Sequence, residues 1–415
     1  MTAVAFNRVR VHQEAPRLAD VAGATERSLA ACGVSFSAGD EVAIACGSRG
    51  IADLPIVFAR VAAWVRAQGA VPFLVPAMGS HGGATAAGQR EVLQSYGLDD
   101  PSIGCEIRSS MDVVELPRGD CPVQVWTDAR AAAAAATIVV NRIKPHTDFH
   151  GPFESGLMKM TAIGLGKRAQ AEALHAHGVR GLRDMMPVVA RQVLAHGNVV
   201  LGVGIVENAV DRTMAVEALP ASAMPAGEQR LLELARVNAP CLPVDVLDVL
   251  LIDRMGKDIS GVGMDTNVIG RLMIGGEREP ERPRVSMIAC HELTAASHGN
   301  ACGVGLADIV TTRLADAIDH EVTRTNIVTS GFLLRGKLPV VSADDRQAWE
   351  WCLRGAGVVD VPAVRAARIV DTLHCAELWV TDAVLADLAA DDRICVVASG
   401  LALHDERGCL MPFAD

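Results

Sequence analysis

The chain alternates between short apolar runs and longer segments that place apolar residues at helical spacing. Apolar runs of strand length cover residues 42–46, 71–75, 123–126, 137–143 and 199–206. Between them, residues 52–68 and 85–96 repeat apolar positions every three or four residues, which predicts helices that bury one face. The alanine-rich run 131–136 is predicted as a further helix. This alternation predicts an α/β fold with a mostly parallel sheet.

The pattern breaks near residues 238–243 and then restarts. The later segments are predicted strands at 244–252 and 285–289, a helix at 306–318, and strands at 369–373, 377–380 and 394–397. A chain of 415 residues is also too long for one hydrophobic core. We therefore predict two α/β domains with mostly parallel sheets. They are an N-terminal domain (1–240) and a smaller C-terminal domain (244–415). The last residues of the C-terminal domain are free to pack back on the N-terminal domain.

Such folds form their sites at the carboxyl ends of strands, often between domains, so we expect the active site in the interdomain cleft. The net charge of −11 argues against nucleic acid or an anionic membrane as the main partner, but it permits a small anionic substrate. We see no signal peptide and no apolar run of membrane-spanning length. The eleven scattered cysteines, none in a CxxC pair, are typical of free thiols, so we expect a cytoplasmic protein. A homo-oligomer is left open.

Polar loops follow the first two predicted strands. Arg49, beside Ser48, comes directly after the first strand, and its planar guanidinium matches the two oxygens of a carboxylate. His81 follows the second strand in a glycine-rich loop with Gly82 and Gly83, where it is a candidate acid or base at a pocket edge. A surface arginine and a flexible turn are the plainer interpretations of these two loops.

A third loop, after the predicted strand 137–143, is rich in histidine. His146, His150, His175 and His177 are four of the twelve histidines of the chain. Lys159 lies between them in an apolar stretch, where partial burial makes a lysine amine nucleophilic. The histidines are candidate metal ligands or proton-transfer groups. A snorkelling lysine, and two histidines at a helix C-terminus, remain open alternatives.

A fourth polar segment, 254–267, follows the strand that opens the second domain. It is glycine-rich, carries Lys257 and Asn267, and precedes Arg271. We expect it to close over a substrate held by the first domain, although a long surface loop has the same composition. The chain lacks the GxSxG, HExxH, P-loop and dinucleotide-binding signatures.

Taken in order, these segments resemble the nickel-dependent lactate racemase family and its wider set of 2-hydroxyacid racemases and epimerases. The matching positions are Gly79-Ser80-His81, then Pro145-His146, then Lys159, and then His175 sixteen positions later. The resemblance covers most of the chain and is strongest over residues 42–178. An ordered set of this kind is more specific than any single motif.

The resemblance implies a nickel pincer nucleotide, derived from nicotinic acid mononucleotide, tethered to Lys159 through a thioamide, with His175 as the protein ligand of nickel. His81 and His146 are then paired acid/bases on opposite faces of the substrate carbon, and hydride passes to the cofactor and back. Enzymes that mature the cofactor become expected partners. We place the cofactor contacts at Lys159, Ser155, Gly156, Gly82 and Gly83, and the substrate contacts at Arg49, Ser48, Lys257, Asn267 and Arg271.

The chain also departs from the family pattern. It has Cys46-Gly47-Ser48-Arg49 where lactate racemases have Asp-x-Thr-Arg, and Ser155-Gly156-Leu157-Met158 in place of a Gly-Gly pair before the lysine. We therefore expect a 2-hydroxy acid other than lactate, such as a sugar acid or a dicarboxylate. Two alternatives stay open. One is a zinc- or iron-dependent hydrolase or lyase that uses His146, His150 and His175 or His177, and the other is a non-catalytic nucleotide-binding protein.

Overall fold

The structure is a computed structural model that describes residues 4–12, 15–47 and 50–413. The chain divides into two compact units. The N-terminal unit is Ala15–Ala239, and the C-terminal unit combines the N-terminal residues that precede it with the chain from Pro240 onward. Each unit has its own sheet.

The strands are β1 (Ala5–Val11), β2 (Glu41–Cys46), β3 (Val71–Pro76), β4 (Glu106–Ile107), β5 (Val113–Leu116), β6 (Val125–Asp128), β7 (Ala136–Arg142), β8 (Val199–Glu207), β9 (Thr213–Pro220), β10 (Val246–Met255), β11 (Arg284–Leu293), β12 (Ile309–Thr311), β13 (Val340–Ser342), β14 (Ala366–Ile369), β15 (Glu377–Thr381) and β16 (Ile394–Ala402). The α-helices are α1 (Val21–Ala31), α2 (Leu54–Ala67), α3 (Ala86–Ser95), α4 (Asp100–Ile103), α5 (Ala129–Ala133), α6 (Leu157–Lys159), α7 (Lys167–His175), α8 (Gly178–Arg180), α9 (Met186–His196), α10 (Met224–Val237), α11 (Thr266–Ile269), α12 (Thr312–Asp316), α13 (His320–Ser330), α14 (Asp345–Gly355) and α15 (Asp382–Leu388).

The sheet of the N-terminal unit has the order β4-β3-β2-β7-β8-β9. Its strands are parallel except for β9, which pairs antiparallel with β8. Successive strands run outward from β2 through β3 to β4, and the chain then returns to place β7 on the other side of β2. The strand order therefore reverses between β2 and β7, and a reversal of this kind leaves a crevice at the carboxyl ends of the two strands.

The helices of this unit form where the apolar pattern predicts them. In α2 the side chains of Val57, Phe58 and Val61 are fully buried, and they pack in one core with Ile44 of β2. Helix α3 begins after Thr85, whose hydroxyl accepts the Gly88 N–H at 3.1 Å. This N-cap satisfies a backbone donor that the helix itself leaves unpaired.

The sheet of the C-terminal unit has the order β13-β12-β11-β10-β14-β15-β1-β16. The strands from β13 to β14 are parallel, whereas β15, β1 and β16 pair antiparallel. Here the strand order reverses between β10 and β14. The two mixed α/β units with mostly parallel sheets confirm the predicted fold class.

The first strand differs from the sequence-based division, which assigned residues 1–240 to one domain. Strand β1 lies between β15 and β16 in the sheet of the C-terminal unit. Its Phe6 and Val9 are fully buried in the two cores of that unit. The chain's last strand, β16, accordingly pairs with its first strand inside the C-terminal unit.

Several predicted elements need correction. The alanine run 131–136 was predicted as a helix, but α5 ends at Ala133 and the last alanine of the run opens β7. The predicted helix 306–318 begins instead with strand β12, because its β-branched run of residues 309–311 pairs with β11. The predicted strand 369–373 is a loop beyond residue 369. The strand predicted at 123–126 lies at 125–128, in a separate antiparallel pair with β5.

Over the residues that the structure covers, none of the helices is long and apolar enough to cross a membrane.

Candidate active site

Loops from three neighbouring strands of the N-terminal unit meet the segment that carries Lys159. Gly47 directly follows β2 and packs closely against Met160. A Cβ atom at Gly47 would lie 2.7 Å from Cε of Met160. The Gly79 N–H, in the loop after β3, donates to the Gly164 carbonyl at 3.4 Å. These contacts place the Lys159 segment at the carboxyl edge of the sheet, beside the β2/β7 reversal.

Lys159 is the last residue of the short helix α6. The next five residues, Met160–Gly164, form a π-helical turn whose residues are all buried. Single π-helical turns within helices occur frequently at functional sites. Leu157 and Met158 are fully buried, whereas Lys159 is half-buried. The predicted apolar setting of Lys159 is confirmed, and its amine is not simply a snorkelling surface group, because it contacts His146.

His146 lies in a closed loop, residues 145–154, that follows β7. Backbone hydrogen bonds between Lys144 and Ser155, at 2.9 and 3.2 Å, close the loop at its base. Residues 145–154 contain no helix. The buried carboxylate of Glu154 holds the loop from inside, since it accepts the backbone N–H of His146 at 2.6 Å and that of Gly151 at 3.2 Å.

Glu154 is ionised in spite of its burial. Burial opposes the charge, but hydrogen bonds from His150, from the His146 N–H and from Arg236 outweigh it and lower the pKa of Glu154. The Nη2 group of Arg236 donates a hydrogen bond to Oε1 of Glu154 at 2.5 Å. A charged, multiply bonded carboxylate fixes the backbone that orients the His146 ring.

The imidazole of His146 and the amine of Lys159 are in direct contact. His146 Nε2 lies 2.6 Å from Lys159 Nζ. On its other side, His146 Nδ1 accepts the Asp148 N–H at 3.0 Å, and the ring packs against buried Phe149 with a centroid separation of 4.6 Å. The amine and the imidazole are therefore within hydrogen-bond distance, so a proton can pass between them.

His175 is the last residue of α7, as its proposed position at a helix C-terminus predicts. Burial by surrounding groups lowers the pKa of His175, the Lys159 charge lowers it further, and Asp148 raises it. The His175 side chain is nevertheless exposed to solvent. A neutral imidazole is the form that binds metal. His175 therefore lies within electrostatic range of Lys159 and Asp148.

The remaining histidines of the segment have other surroundings. His150 Nδ1 lies 3.3 Å from Glu154 Oε1, so His150 contacts the carboxylate that holds the loop and not Lys159. His177 is exposed beyond the end of α7. In residues 4–12, 15–47 and 50–413, no three His, Cys, Asp or Glu side chains are grouped so as to hold a metal ion.

His81 lies at the start of a short 3-10 turn, Gly82–Ala84, and its side chain is exposed. Its carbonyl accepts Nε2 of the buried Gln89 at 3.2 Å. Gly82 has φ +63°, and a Cβ there would lie 2.7 Å from the Gln89 backbone nitrogen, so this turn requires glycine. The glycine-rich loop is thus explained by close packing on α3, and the cofactor-binding roles of Gly82 and Gly83 stay predictions.

The other predicted contact residues have defined surroundings or lie outside the description. Ser48 and Arg49 lie outside the described residues. In the C-terminal unit, Lys257 Nζ donates to Asn326 Oδ1 at 2.9 Å, Asn267 Nδ2 donates to Asp265 Oδ1 at 2.9 Å, and Arg271 pairs with Asp308 at 2.7 Å. These bonds organise loops within that unit. The substrate-binding roles of these residues, and a site in the interdomain cleft, stay predictions.

Sequence reasoning missed the carboxylate that supports the start of α6. Glu228 of α10 is fully buried, and its Oε2 accepts the Met158 N–H at 2.7 Å. Burial raises the pKa of Glu228 to about 8. The hydrogen bonds from the N–H groups of Met158 and Leu157 lower this pKa, but burial has the larger effect. A Cβ on Gly156 would approach Glu228 Cδ to 2.7 Å, so Gly156 is needed for this packing, and its predicted cofactor contact stays untested. An isolated glutamate on an amphipathic helix gives no sequence signal for such a role.

A second missed feature is the buried pair of Lys167 and Asp128. Their side chains are fully buried, with Nζ 2.8 Å from Oδ2, and Lys167 also donates to the Pro76 carbonyl at the end of β3. Lys167 adopts φ +52° just after the π-helical turn. The pair therefore ties the turn before α7 to the edge of the sheet.

Comparison with known proteins adds information on the fold. No protein-family profile matches the sequence, and no curated protein matches it. Among solved structures, the chain is similar to the lactate racemase apoprotein from Thermoanaerobacterium thermosaccharolyticum, with a TM-score of 0.51 and 10% identity over 88% of this chain and 94% of that one.

A protein from Thermotoga maritima also aligns, at 10% identity over 66% of this chain and 70% of that one, with a TM-score of 0.45. At such low identity the likeness to the racemase shows the fold alone. The chain therefore has a mixed α/β fold with mostly parallel sheets, similar to that of the lactate racemase apoprotein.

Proposed function

We propose that this protein is a racemase or epimerase that inverts the C2 centre of a 2-hydroxy acid, with a nickel pincer nucleotide held by Lys159. The observation that carries the proposal is the 2.6 Å contact between Lys159 Nζ and His146 Nε2. The sequence resemblance assigns these two positions to the tether and to one acid/base, and the two side chains meet. The racemase-like fold agrees with this assignment.

The residues at the site fit the proposed cofactor. An amine beside an imidazole can pass its proton to the ring and so present the lone pair that acylation of Lys159 requires. One imidazole, His175, is exposed, electrostatically coupled to Lys159 and favoured in its neutral form. Lys159 would hold the nucleotide, and His175 would hold a metal that already has soft sulfur donors. When bound, the cofactor would supply the hydride acceptor.

The protein's own part in the reaction is proton transfer and orientation. Nε2 is the ring atom of His146 that faces Lys159, the residue that would hold the cofactor. His146 would exchange the hydroxyl proton with the substrate at Nε2. Glu154 and Asp148 keep the ring in place through the backbone and through Nδ1. We assign His81 the same task for the opposite enantiomer and Arg49 the substrate carboxylate.

The test is the intact mass of protein produced together with the cofactor-maturation enzymes. We expect a covalent adduct in the wild-type protein and in Lys337→Ala, an exposed lysine in the other unit, and none in Lys159→Ala. The adduct-bearing protein should abolish the optical rotation of one or more chiral 2-hydroxy acids. Active protein with an unmodified Lys159 contradicts the proposal.

The same samples distinguish the alternatives. Stoichiometric zinc or iron without a nucleotide adduct supports a metal-dependent hydrolase or lyase. Full nucleotide affinity in His81→Ala and His146→Ala, together with no turnover of any 2-hydroxy acid, supports a binding protein. The proposal predicts instead that both variants retain the adduct and lose inversion by at least a hundredfold, a usual contribution of general acid/base groups (about 10²–10⁴).

A further inference from the structure

A second polar cluster lies at the strand-order reversal of the C-terminal unit. From β10 the chain continues outward through β11, β12 and β13, and it then returns to place β14 on the other side of β10. Arg254 is near the carboxyl end of β10, and Asp371 is two residues beyond the end of β14. The Arg254 N–H donates to the Val370 carbonyl at 3.0 Å, which joins the two strand ends. In open α/β sheets this is the position at which ligands bind.

A buried carboxylate holds two exposed side chains at this point. Asp371 is fully buried, and its Oδ2 accepts Nε of Arg254 at 3.0 Å. Its Oδ1 lies 2.7 Å from Nδ1 of His374 and also accepts the N–H groups of Leu373 and His374, at 2.9 and 3.0 Å. With Nδ1 bonded to Asp371, the His374 ring presents Nε2 on its outer side.

The outer edges of both side chains face solvent. The Arg254 and His374 side chains are 45% and 63% exposed, so a solute can reach them. In the described part of the chain, the only side chain bonded to either group is Asp371. Nη2 of Arg254 also lies 3.0 Å from Asp371 Oδ2, and Nη1 keeps its donors for an oxygen of a carboxylate. His374 keeps Nε2 for a hydroxyl group. Because one carboxylate holds both groups, the two side chains lie beside each other.

We propose that Arg254, Asp371 and His374 form a binding site for a small carboxylate with a hydroxyl on the adjacent carbon. Arg254 binds the carboxylate, His374 Nε2 accepts the hydroxyl hydrogen, and Asp371 positions both groups. A guanidinium and an imidazole held side by side match the two polar groups of a 2-hydroxy acid. The site rests on this cluster alone and does not depend on the proposed racemase activity.

The test uses the full-length protein with glycolate, acetate and inorganic phosphate as probes. Histidine Cε1–H resonances report the location of binding, and the spectrum of His374→Ala identifies the signal of His374 among the twelve histidines. Calorimetric titration gives the affinities. We expect glycolate to shift the His374 signal and to bind about fivefold more tightly than acetate, which corresponds to one net hydrogen bond.

Variants separate the two contacts. Arg254→Gln should weaken both glycolate and acetate by about tenfold or more, whereas His374→Ala should reduce glycolate to the affinity of acetate and leave acetate unchanged. Arg254→Lys keeps the charge without the planar edge and should give an intermediate loss. Arg278→Gln and His320→Ala, at exposed positions of the same unit, serve as matched controls and should bind like the wild-type protein.

Three results would overturn the site. One is glycolate binding that leaves the His374 signal unmoved, because any other site in the protein then accounts for it. Another is unchanged affinity in a folded Arg254→Lys protein. The third is phosphate binding more tightly than glycolate at His374, which would assign the cluster to a different class of anion. None of these measurements requires cofactor, so they are independent of the adduct on Lys159.

Discussion

The two strand-order reversals of this molecule organise their polar side chains in different ways. In the N-terminal unit a lysine amine meets an imidazole directly, with Lys159 Nζ 2.6 Å from His146 Nε2. In the C-terminal unit a buried carboxylate, Asp371, lies between an arginine and a histidine. Under our two proposals, the nitrogen–nitrogen contact serves covalent chemistry at the amine, whereas the carboxylate-centred cluster holds two groups for recognition. Similar topology would thus support two different kinds of site.

The two units also differ in how they bury charged side chains. The N-terminal unit buries Lys167 with Asp128 and leaves one oxygen of Glu228 without a hydrogen bond. In the C-terminal unit the buried Arg368 makes two hydrogen bonds to Asp253, at 2.7 and 2.8 Å. Both members of the Lys167–Asp128 pair are fully buried, whereas Asp253 is partly exposed, so breaking the N-terminal pair should have the larger effect.

The largest expected effect is on the buried ion pair. Lys167→Ala leaves Asp128 charged and unpaired in the core, so we expect the free energy of unfolding to fall by about 3–5 kcal/mol. Chemical denaturation measures this. The double variant Lys167→Met/Asp128→Asn removes both charges and keeps an acceptor for the Ala131 N–H, so it should recover part of the loss. A single variant as stable as the wild type would show that the pair does not support the N-terminal site.

Asp371→Asn tests the corresponding support in the C-terminal unit. The amide keeps the shape of the side chain but loses the charge that holds Arg254 and His374, so we expect a loss of about 1–3 kcal/mol. Arg254 and His374 should also become more mobile, which broadens the His374 resonance. A loss larger than that of Lys167→Ala would reverse the comparison, since the C-terminal unit would then depend more on its buried charge.

Glu228 gives the N-terminal unit a dependence on pH. Its pKa is raised from 4.5 to about 8, so the folded protein keeps a proton that the unfolded chain releases near pH 4.5. Between these values unfolding releases a proton, and the stability of the wild type falls as the pH rises, by roughly 1 kcal/mol per pH unit. Glu228→Gln should lack this fall. Parallel stability curves for the two proteins from pH 5.5 to 7.5 would contradict the assignment.

The smallest expected effect concerns His175. Burial lowers the pKa of His175, and the positive charge of Lys159 lowers it further. In Lys159→Met the pKa of His175 should rise towards its usual value, while burial still holds it below that value. Titration of the histidine Cε1–H resonances measures both pKa values. An unchanged pKa in the variant would show that Lys159 does not act on His175.

Much of the N-terminal unit is predictable from local patterns. The apolar runs at 42–46, 71–75 and 137–143 become adjacent parallel strands, and Thr85 starts a helix because its hydroxyl caps the Gly88 N–H. The errors fall where pairing overrides composition. The segment at 309–311 is a strand because β11 lies beside it, and strand β1 joins the C-terminal sheet because partners more than 360 residues away, such as Glu377, are already there.

The sequence alone predicted Lys159, His146 and His175 as an ordered set, through its resemblance to the lactate racemase family. Only the tertiary structure decided that Lys159 contacts His146, that Glu154 and Glu228 support them, and that Arg254 meets Asp371 across 117 positions of sequence. Such contacts depend on the order of strands in a sheet and on the closure of loops by distant hydrogen bonds, and neither leaves a local pattern in the sequence.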